Sequence, residues 1–233
     1  MNAEIVFLLD VDNTLLDNDA VIADLRQHLH NEFGHAADRF WAHFEALRSE
    51  LGYADYLGAL QRFRAEVEPD GAGAHRLLAM SSFLIDYPSA ERLYPKALDV
   101  LARLGTLGST VILTDGDVVF QPRKVQRSGL WDAVQGRVLI HIHKERMLDA
   151  VTRSHPARRY VMVDDKLRIL RAMKDIWGER LVTVFPRQGH YAHDPTQLAR
   201  HGAADLSVER IGDLLELDLA PWLGIHPHQE FPP

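Results

Sequence analysis

Five short apolar runs, each four to six residues long, alternate along this chain with longer amphipathic stretches. The runs are rich in β-branched residues and lack a clean alternation of apolar and polar positions. Strands that are buried on both faces, as in a parallel sheet flanked by helices, have this pattern. We therefore predict five strands, at residues 5–9, 110–114, 137–142, 160–163 and 181–185.

The stretches between the later runs have helical spacing. Residues 96–105 and 166–178 repeat apolar positions every three or four residues, and each ends in a glycine that suits the position after a helix. Strand and helix alternate from about residue 90 onward. This order predicts a doubly wound α/β fold, a Rossmann-like core with a five-stranded, mainly parallel sheet.

Residues 20 to 87 differ, because they contain four apolar sets at helical spacing and no strand-like run. This pattern predicts an α-helical bundle inserted after the first strand. We expect the aromatic side chains of Phe40, Trp41 and Phe44 in its core. The four sets are Val21, Leu25, Leu29 and Phe33; Phe40, Phe44, Leu47 and Leu51; Leu57, Leu60 and Phe63; and Leu77, Leu78, Leu84 and Ile85.

The chain thus divides into a core and an insertion. We assign residues 1–18 and 90–225 to the core and 19–89 to the helical insertion, with a loop inside it at 68–73. The tail, residues 226–233, is expected to be mobile.

Composition narrows the function classes. The net charge of −7 argues against a nucleic-acid groove, and the absence of cysteine excludes disulfides, zinc–thiolate sites and thiol nucleophiles. The first residues have no basic segment typical of a signal peptide, and no apolar run is long enough for a membrane helix. We expect a cytoplasmic protein without a membrane or nucleic-acid partner, as a monomer or homodimer.

Polar residues follow four of the predicted strands. In an open parallel sheet the carboxyl ends of the strands meet at one edge, where ligands bind. Several carboxylates can coexist there if a hard divalent cation neutralises them, and oxygen-only ligands favour Mg²⁺. The residues are Asp10, Asp12 and Thr14; Thr114, Asp115 and Gly116; Lys144; and Asp164 and Asp165.

This set suits phosphoryl transfer. With Mg²⁺ bound, Asp10 could approach a phosphate and attack phosphorus, and a second carboxylate could protonate the leaving oxygen and later deprotonate water. A hydroxyl and a lysine would hold the remaining phosphate oxygens.

In the order of its predicted strands and helices and in its sequence motifs, the chain resembles the haloacid dehalogenase-like superfamily. The resemblance is to the phosphatase-like branch with an inserted helical cap. LLDVDNT matches the first motif of that superfamily, VILT the second, Lys144 the third, and VMVDD the fourth. The resemblance implies that Asp10 is the nucleophile and a metal ligand. It also implies that Asp12 is the general acid and base and binds Mg²⁺ through its main-chain carbonyl.

The other motif positions also receive roles from the resemblance. Thr114 and Lys144 would be catalytic and bind phosphate, with Asp115 and Gly116 beside them in the substrate site. Asp164 would ligate Mg²⁺, and Asp165 would support the metal shell through water. Relatives that attack carbon lack an aspartate two residues after the nucleophile, so Asp12 favours phosphate esters.

The chain departs from the family at Asp115-Gly116-Asp117, where many relatives have asparagine, and at Val163 and Glu145. An extra carboxylate beside the phosphate site could weaken anion binding or attract a cationic part of the substrate. These departures concern the substrate class more than the chemistry.

Other polar residues near the motifs have simpler interpretations. We expect Asp17 and Asp19 to be solvated loop acids and Lys124 to be a surface lysine. A metal site at His141 and His143 is disfavoured without cysteine or a second histidine pair. His190, Tyr191 and His193 follow the fifth strand near the same edge, where a substrate contact is the less favoured reading.

The sequence therefore predicts a Mg²⁺-dependent phosphomonoester hydrolase that acts through an aspartyl-phosphate on a small phosphorylated metabolite. A phosphomutase of the same superfamily, which shares every motif residue, stays open as an alternative. A catalytically silent phosphate-binding or regulatory protein is a third reading. A signalling receiver domain is disfavoured, because its acidic pair precedes its phosphorylated aspartate and it has no inserted cap.

Overall fold

A computed structural model describes residues 3–67 and 74–224. The loop predicted at 68–73 and the tail predicted at 226–233 lie outside the described residues. The strands are β1 (Ala3–Leu9), β2 (Ser109–Asp115), β3 (Val138–His141), β4 (Ala157–Val163), β5 (Leu181–Pro186) and β6 (Leu206–Val208).

The helices fill the intervals between the strands. They are α1 (Asn18–Phe33), α2 (Ala37–Leu51), α3 (Tyr56–Val67), α4 (Ala74–Asp86), α5 (Ala97–Gly105), α6 (Phe120–Arg127), α7 (Leu130–Ala133), α8 (Leu148–Ser154), α9 (Leu167–Trp177), α10 (Gly189–Ala192), α11 (Pro195–His201) and α12 (Ala220–Leu223). Short 3₁₀ turns lie at Gly34–Ala36, Ser89–Arg92, Lys144–Arg146, Gly178–Arg180 and Ile211–Leu215. Within the described ranges, no helix combines the length and apolar character needed to span a bilayer.

The strands of the described chain form one sheet in the order β3-β2-β1-β4-β5-β6, and every neighbouring pair is parallel. All five predicted strands are confirmed. The sixth, β6, was not predicted, since its three residues are too few to show a pattern and only Val208 is buried.

Strand β1 lies at the centre of the core. Its odd-numbered side chains Ile5, Phe7 and Leu9 pack in the same apolar cluster as residues of α5, on one side of the sheet. Val6 and Leu8 point to the other side, into a cluster with residues of α8 and α9. Burial on both faces explains why the run shows no alternation.

The two glycines predicted to follow helices differ. Gly178 follows α9 with a φ of 54°, a left-handed conformation that suits glycine. Gly105 is instead the last residue of α5. The predicted stop at position 105 is therefore one residue early.

Helices α1 to α4 form the inserted helical cap, and their buried side chains make a separate apolar cluster. Phe40 and Phe44 are buried, as predicted, and Trp41 packs against them. Two residues of the four apolar sets are exposed, Leu51 by 37% and Leu78 by 65%. Among the α4 side chains that the structure describes, Met80 is buried.

Two chain segments join the cap to the core, and they pair with each other. The backbone N–H of Asp17 donates to the carbonyl of Arg92 at 2.7 Å, and that of Tyr94 donates to Leu15 at 2.9 Å. Arg92 also forms an ion pair with Asp24 of α1, N to O 2.6 Å. The start of the cap is thereby fixed to the segment that returns to the core.

Candidate active site

The sheet order reverses at β1, which has β2 on one side and β4 on the other. Leu9 lies opposite Ile112 of β2 and Val163 of β4. Asp10 is therefore delivered between the ends of the two neighbouring strands, and a ligand crevice is expected at this switch point.

Three carboxylates meet there. One oxygen each of Asp10, Asp164 and Asp165 lies within 4.8 Å of the others, and all three residues are buried. The backbone fixes them, since the N–H of Asp10 donates to the Val163 carbonyl at 3.0 Å and that of Asp164 to the Val184 carbonyl at 3.2 Å. We call Asp10, Asp164 and Asp165 the acidic cluster.

Lys144 partly neutralises the acidic cluster. Its Nζ lies 2.5 Å from Asp10 Oδ1 and 2.6 Å from Asp164 Oδ2, and the side chain is only 1% exposed. Burial alone would lower the pKa of Lys144, but these carboxylates raise it above its usual range. Burial would likewise raise the pKa of Asp10, but the ammonium groups of Lys144 and Lys166 hold it below its usual value. The neighbouring cations thus favour the ionised form of the Asp10 carboxyl.

Asp165 has no such partner. Neither carboxylate oxygen of Asp165 accepts a hydrogen bond from a described residue, although both are buried. Burial raises the pKa of this carboxyl well above its usual range; Lys166 offsets part of the effect, and the nearby charges of Asp164 and Asp10 add to it. A buried carboxyl that accepts no hydrogen bond is costly, so a further cation beside Asp165 would stabilise it.

Thr14 of the first motif links β1 to β4. Its Oγ1 accepts the backbone N–H of Asp165 at 3.0 Å and lies 3.5 Å from Asp10 Oδ2. The hydroxyl therefore holds the acidic end of the fourth motif beside Asp10.

The departure at Asp115 has a structural reason. Asp115 Oδ1 accepts the backbone N–H of Lys144 at 2.7 Å, which holds the turn that places the lysine. Asp117 Oδ1 accepts the N–H groups of Val119 and Phe120, both at 2.7 Å, at the start of α6. Each extra carboxylate has one oxygen engaged with the protein's own backbone.

Gly116 allows close packing in the same loop. A Cβ there would lie 2.5 Å from Cβ of Gln121, so no larger residue fits without a shift. Gln121 is buried, and its Nε2 donates to Thr114 Oγ1 at 3.0 Å. The glycine thus brings α6 against the predicted phosphate-binding hydroxyl.

The prediction of a surface lysine at position 124 is wrong. Lys124 Nζ lies 2.7 Å from Asp12 Oδ1 and also donates to Asn18 at 3.0 Å, and the side chain is 15% exposed. Gln121 lies 3.5 Å from the other oxygen of Asp12. Gln121 and Lys124 are three residues apart and lie on one face of α6. This spacing could have indicated that both side chains point toward the same site.

Removing the contact at Asp12 has a measurable consequence. We expect Lys124→Met to lower kcat/KM for a phosphate ester by about tenfold, because Asp12 loses the charged donor that orients it. Steady-state phosphate release measures the change. Arg123→Met is the matched control, since Arg123 pairs with Asp86, away from Asp12. Equal losses in both variants would contradict the assignment.

Lys166 is a second cation that the sequence interpretation missed. It follows Asp165 directly, and carboxylates led by Asp165 and Asp10 raise its pKa above its usual range, against the opposing effect of burial. Its backbone N–H donates to Asp164 Oδ1 at 2.8 Å. The position of Lys166 directly after the two acids was the sequence feature that could have placed it at the site.

Asp17 and Asp19 are helix residues or caps and not loop acids. Asp17 Oδ1 accepts the N–H of Ala20 and caps α1, while Asp19 lies in the first turn. Asp19 accepts hydrogen bonds from Asn13 Nδ2 at 3.0 Å and from the backbone N–H of His190 at 2.9 Å. Neither carboxylate is part of the acidic cluster.

The comparisons with known proteins agree with this geometry. The sequence model of haloacid dehalogenase-like hydrolases matches residues 6–176. The chain belongs to the haloacid dehalogenase-like hydrolase family. No curated protein matches it.

Solved structures include close and distant haloacid dehalogenase-like relatives. A haloacid dehalogenase-like hydrolase from Burkholderia xenovorans LB400 is 67% identical, covering 92% of this chain and 99% of that one, with a TM-score of 0.86. The magnesium-bound hydrolase YfnB from Bacillus subtilis is 16% identical, covering 91% and 97%, with a TM-score of 0.61. The L-2-haloacid dehalogenase from Xanthobacter autotrophicus is 18% identical, covering 91% and 97%, with a TM-score of 0.56. The last two share the haloacid dehalogenase-like fold.

Proposed function

We propose that this hydrolase is a Mg²⁺-dependent phosphomonoesterase that acts through an aspartyl-phosphate on a small phosphorylated metabolite. The observation that carries the proposal is the second carboxylate, Asp12, held by Lys124 close to Gln121 and the Thr114 hydroxyl. Hydrolysis of a phosphate ester needs a group that gives a proton to the leaving oxygen and takes one from water, and a carboxyl in this position supplies it.

The residues divide the reaction into two displacements. In the first, a carboxylate oxygen of Asp10 bonds to phosphorus, the ester P–O bond breaks, and Asp12 gives its proton to the leaving alcohol. In the second, Asp12 takes a proton from water, the water oxygen bonds to phosphorus, and the bond to Asp10 breaks. Thr114 and Lys144 hold the phosphate oxygens on which negative charge accumulates.

The acidic cluster fits a magnesium ion. Hard oxygen ligands suit Mg²⁺, and the unpartnered buried carboxylate of Asp165 favours a bound cation. Asp10, Asp164 and Asp165 would hold the ion, with the main-chain carbonyl of Asp12 as the further ligand that the family implies. When bound, Mg²⁺ would supply the positive charge that lets a phosphate approach a carboxylate.

Removing the metal tests this part of the proposal. We expect EDTA to abolish phosphate release and added MgCl₂ to restore it. We also expect MgCl₂ to raise the Tm of the purified protein and to raise it less in Asp165→Asn, a readout that needs no substrate. A Tm that does not respond to MgCl₂ in the unmodified protein would contradict a magnesium site.

The neighbouring structures leave the substrate class open, because one is an L-2-haloacid dehalogenase and another is bound to magnesium. Asp12 favours phosphate esters, since dehalogenation at carbon requires no acid two residues after the nucleophile. Assaying phosphate esters and 2-haloacids side by side separates the two chemistries. Free phosphate supports the proposal, a rearranged sugar phosphate indicates a phosphomutase, halide release indicates a dehalogenase, and no turnover with any compound favours a silent binding protein.

A further inference from the structure

A short segment after β5 lies between the acidic cluster and the cap. It comprises α10, with His190 and Tyr191. Gly189, at a φ of 69°, packs so closely that a Cβ there would lie 2.5 Å from Cβ of Asn13. His190 Nδ1 lies 2.7 Å from Asp19 Oδ1. The segment is therefore fixed to the loop after β1 and to the first turn of α1.

Tyr191 contacts both parts of the molecule. Its hydroxyl accepts a hydrogen bond from Arg48 Nη2 of α2 at 2.5 Å. Its ring lies under the Lys166 ammonium, with 5.4 Å from Nζ to the ring centroid. The His190 ring also packs against the Tyr191 ring, with centroids 4.0 Å apart. One side chain thus joins the cap to the cation that follows the acidic cluster.

A second contact lies at the same end of α2. Gly52, which follows α2 at a φ of 78°, lies close to His143: a Cβ on Gly52 would be 3.1 Å from His143 Cε1. His143 directly precedes Lys144. The carboxyl end of α2 therefore contacts both Tyr191 and the turn that carries Lys144.

We propose that Tyr191 is a positioning residue that couples the cap to the active site, its hydroxyl holding α2 through Arg48 and its ring holding the Lys166 ammonium. The kinetic consequences of this inference rest on the proposed phosphatase function, whereas the contact between the cap and the core does not. The hydroxyl contact closes the cap over bound substrate, and the ring contact restrains a cation beside the acids. The two contacts use different atoms of one side chain, so they can be removed separately.

Kinetics distinguish the two contacts. We expect Tyr191→Phe to raise KM for a phosphate ester about threefold to fivefold with kcat nearly unchanged, because closure binds substrate and transition state equally. Tyr191→Leu removes the ring as well and is expected to lower kcat in addition. Arg48→Met should match Tyr191→Phe. The double variant Arg48→Met/Tyr191→Phe should be no worse than either single change, because both remove the same bond.

Hydrogen–deuterium exchange tests the coupling without a substrate. Arg48→Met should increase exchange in residues 189–193, which lie far from it in sequence, and Tyr191→Phe should increase exchange in residues 37–51. The matched control is Arg62→Met. Arg62 is 43% exposed at its side chain, as Arg48 is 44%, but it pairs with Glu50 inside the cap.

The outcomes separate the two proposals. Unchanged exchange in residues 189–193 of Arg48→Met, or additive effects in the double variant, would overturn the role of Tyr191. If the unmodified protein hydrolyses no phosphate ester but Arg48→Met still increases exchange in residues 189–193, the coupling stands and the phosphatase function fails. Arg62→Met producing the same exchange pattern would show general loosening of the cap and would also overturn the inference.

Discussion

Replacing Asp10 with asparagine is expected to lower the turnover of phosphate esters at least about a thousandfold, because an amide cannot attack phosphorus. The side chain keeps its size, and Lys144 keeps its ion pair with Asp164, so the fold should persist. Phosphate release under saturating Mg²⁺ measures the loss, and circular dichroism with thermal unfolding checks the fold.

Asp17→Asn is the matched control for Asp10→Asn. It removes a carboxylate from the same segment, but asparagine caps a helix as well as aspartate does, and Asp17 has no contact with the acidic cluster. We expect nearly normal turnover in this variant. Undiminished turnover of Asp10→Asn would exclude Asp10 as the nucleophile.

The sequence predicted the sheet and its active edge well, for a physical reason. Strands β1, β2, β4 and β5 are buried on both faces, and such strands must be apolar throughout. The polar residues at their carboxyl ends then stand out. The meeting of Asp10 with the Asp164–Asp165 pair follows from the parallel pairing of β1 with β4, whereas the place of Lys144 also depends on the turn that Asp115 holds.

The remaining site residues depend on helix orientation, which no local pattern gives. A lysine in a polar helical stretch is typical of a helix surface. The Lys124 side chain points toward Asp12 because α6 packs against Gly116. Tyr191 and Arg48 are 143 positions apart and meet only because the cap folds over the sheet. Contacts between the cap and the core leave no periodic pattern in the sequence. The contact between Arg48 and Tyr191 was therefore not predicted.

The site is also an arrangement of balanced charges. Lys144 and Lys166 offset part of the acidic cluster, and Lys124 pairs with Asp12 outside it. The Asp165 carboxylate accepts no hydrogen bond from the described residues. A divalent cation would complete this balance of charge. Because the buried carboxylates depend on the lysines, the loss of one lysine is expected to lower stability as well as activity.

Lys144→Met is expected to lower the free energy of unfolding by about 3–5 kcal/mol, because it leaves two buried carboxylates without their shared cation. Methionine has a similar size, so packing contributes little to this loss. Urea unfolding measures the difference. Lys174→Met is the control: its lysine pairs with Asp205 at 2.8 Å but is 27% exposed, so we expect a cost of only about 1 kcal/mol.

Two further measurements establish the cause of the loss in Lys144→Met. The double variant Asp10→Asn/Lys144→Met should recover part of the stability, because one of the stranded charges is gone. MgCl₂ should raise the Tm of Lys144→Met more than that of the unmodified protein, since the ion then supplies the missing positive charge. A Lys144→Met protein as stable as the unmodified one would mean that the buried carboxylates take up protons instead, and that the lysine is held for catalysis alone.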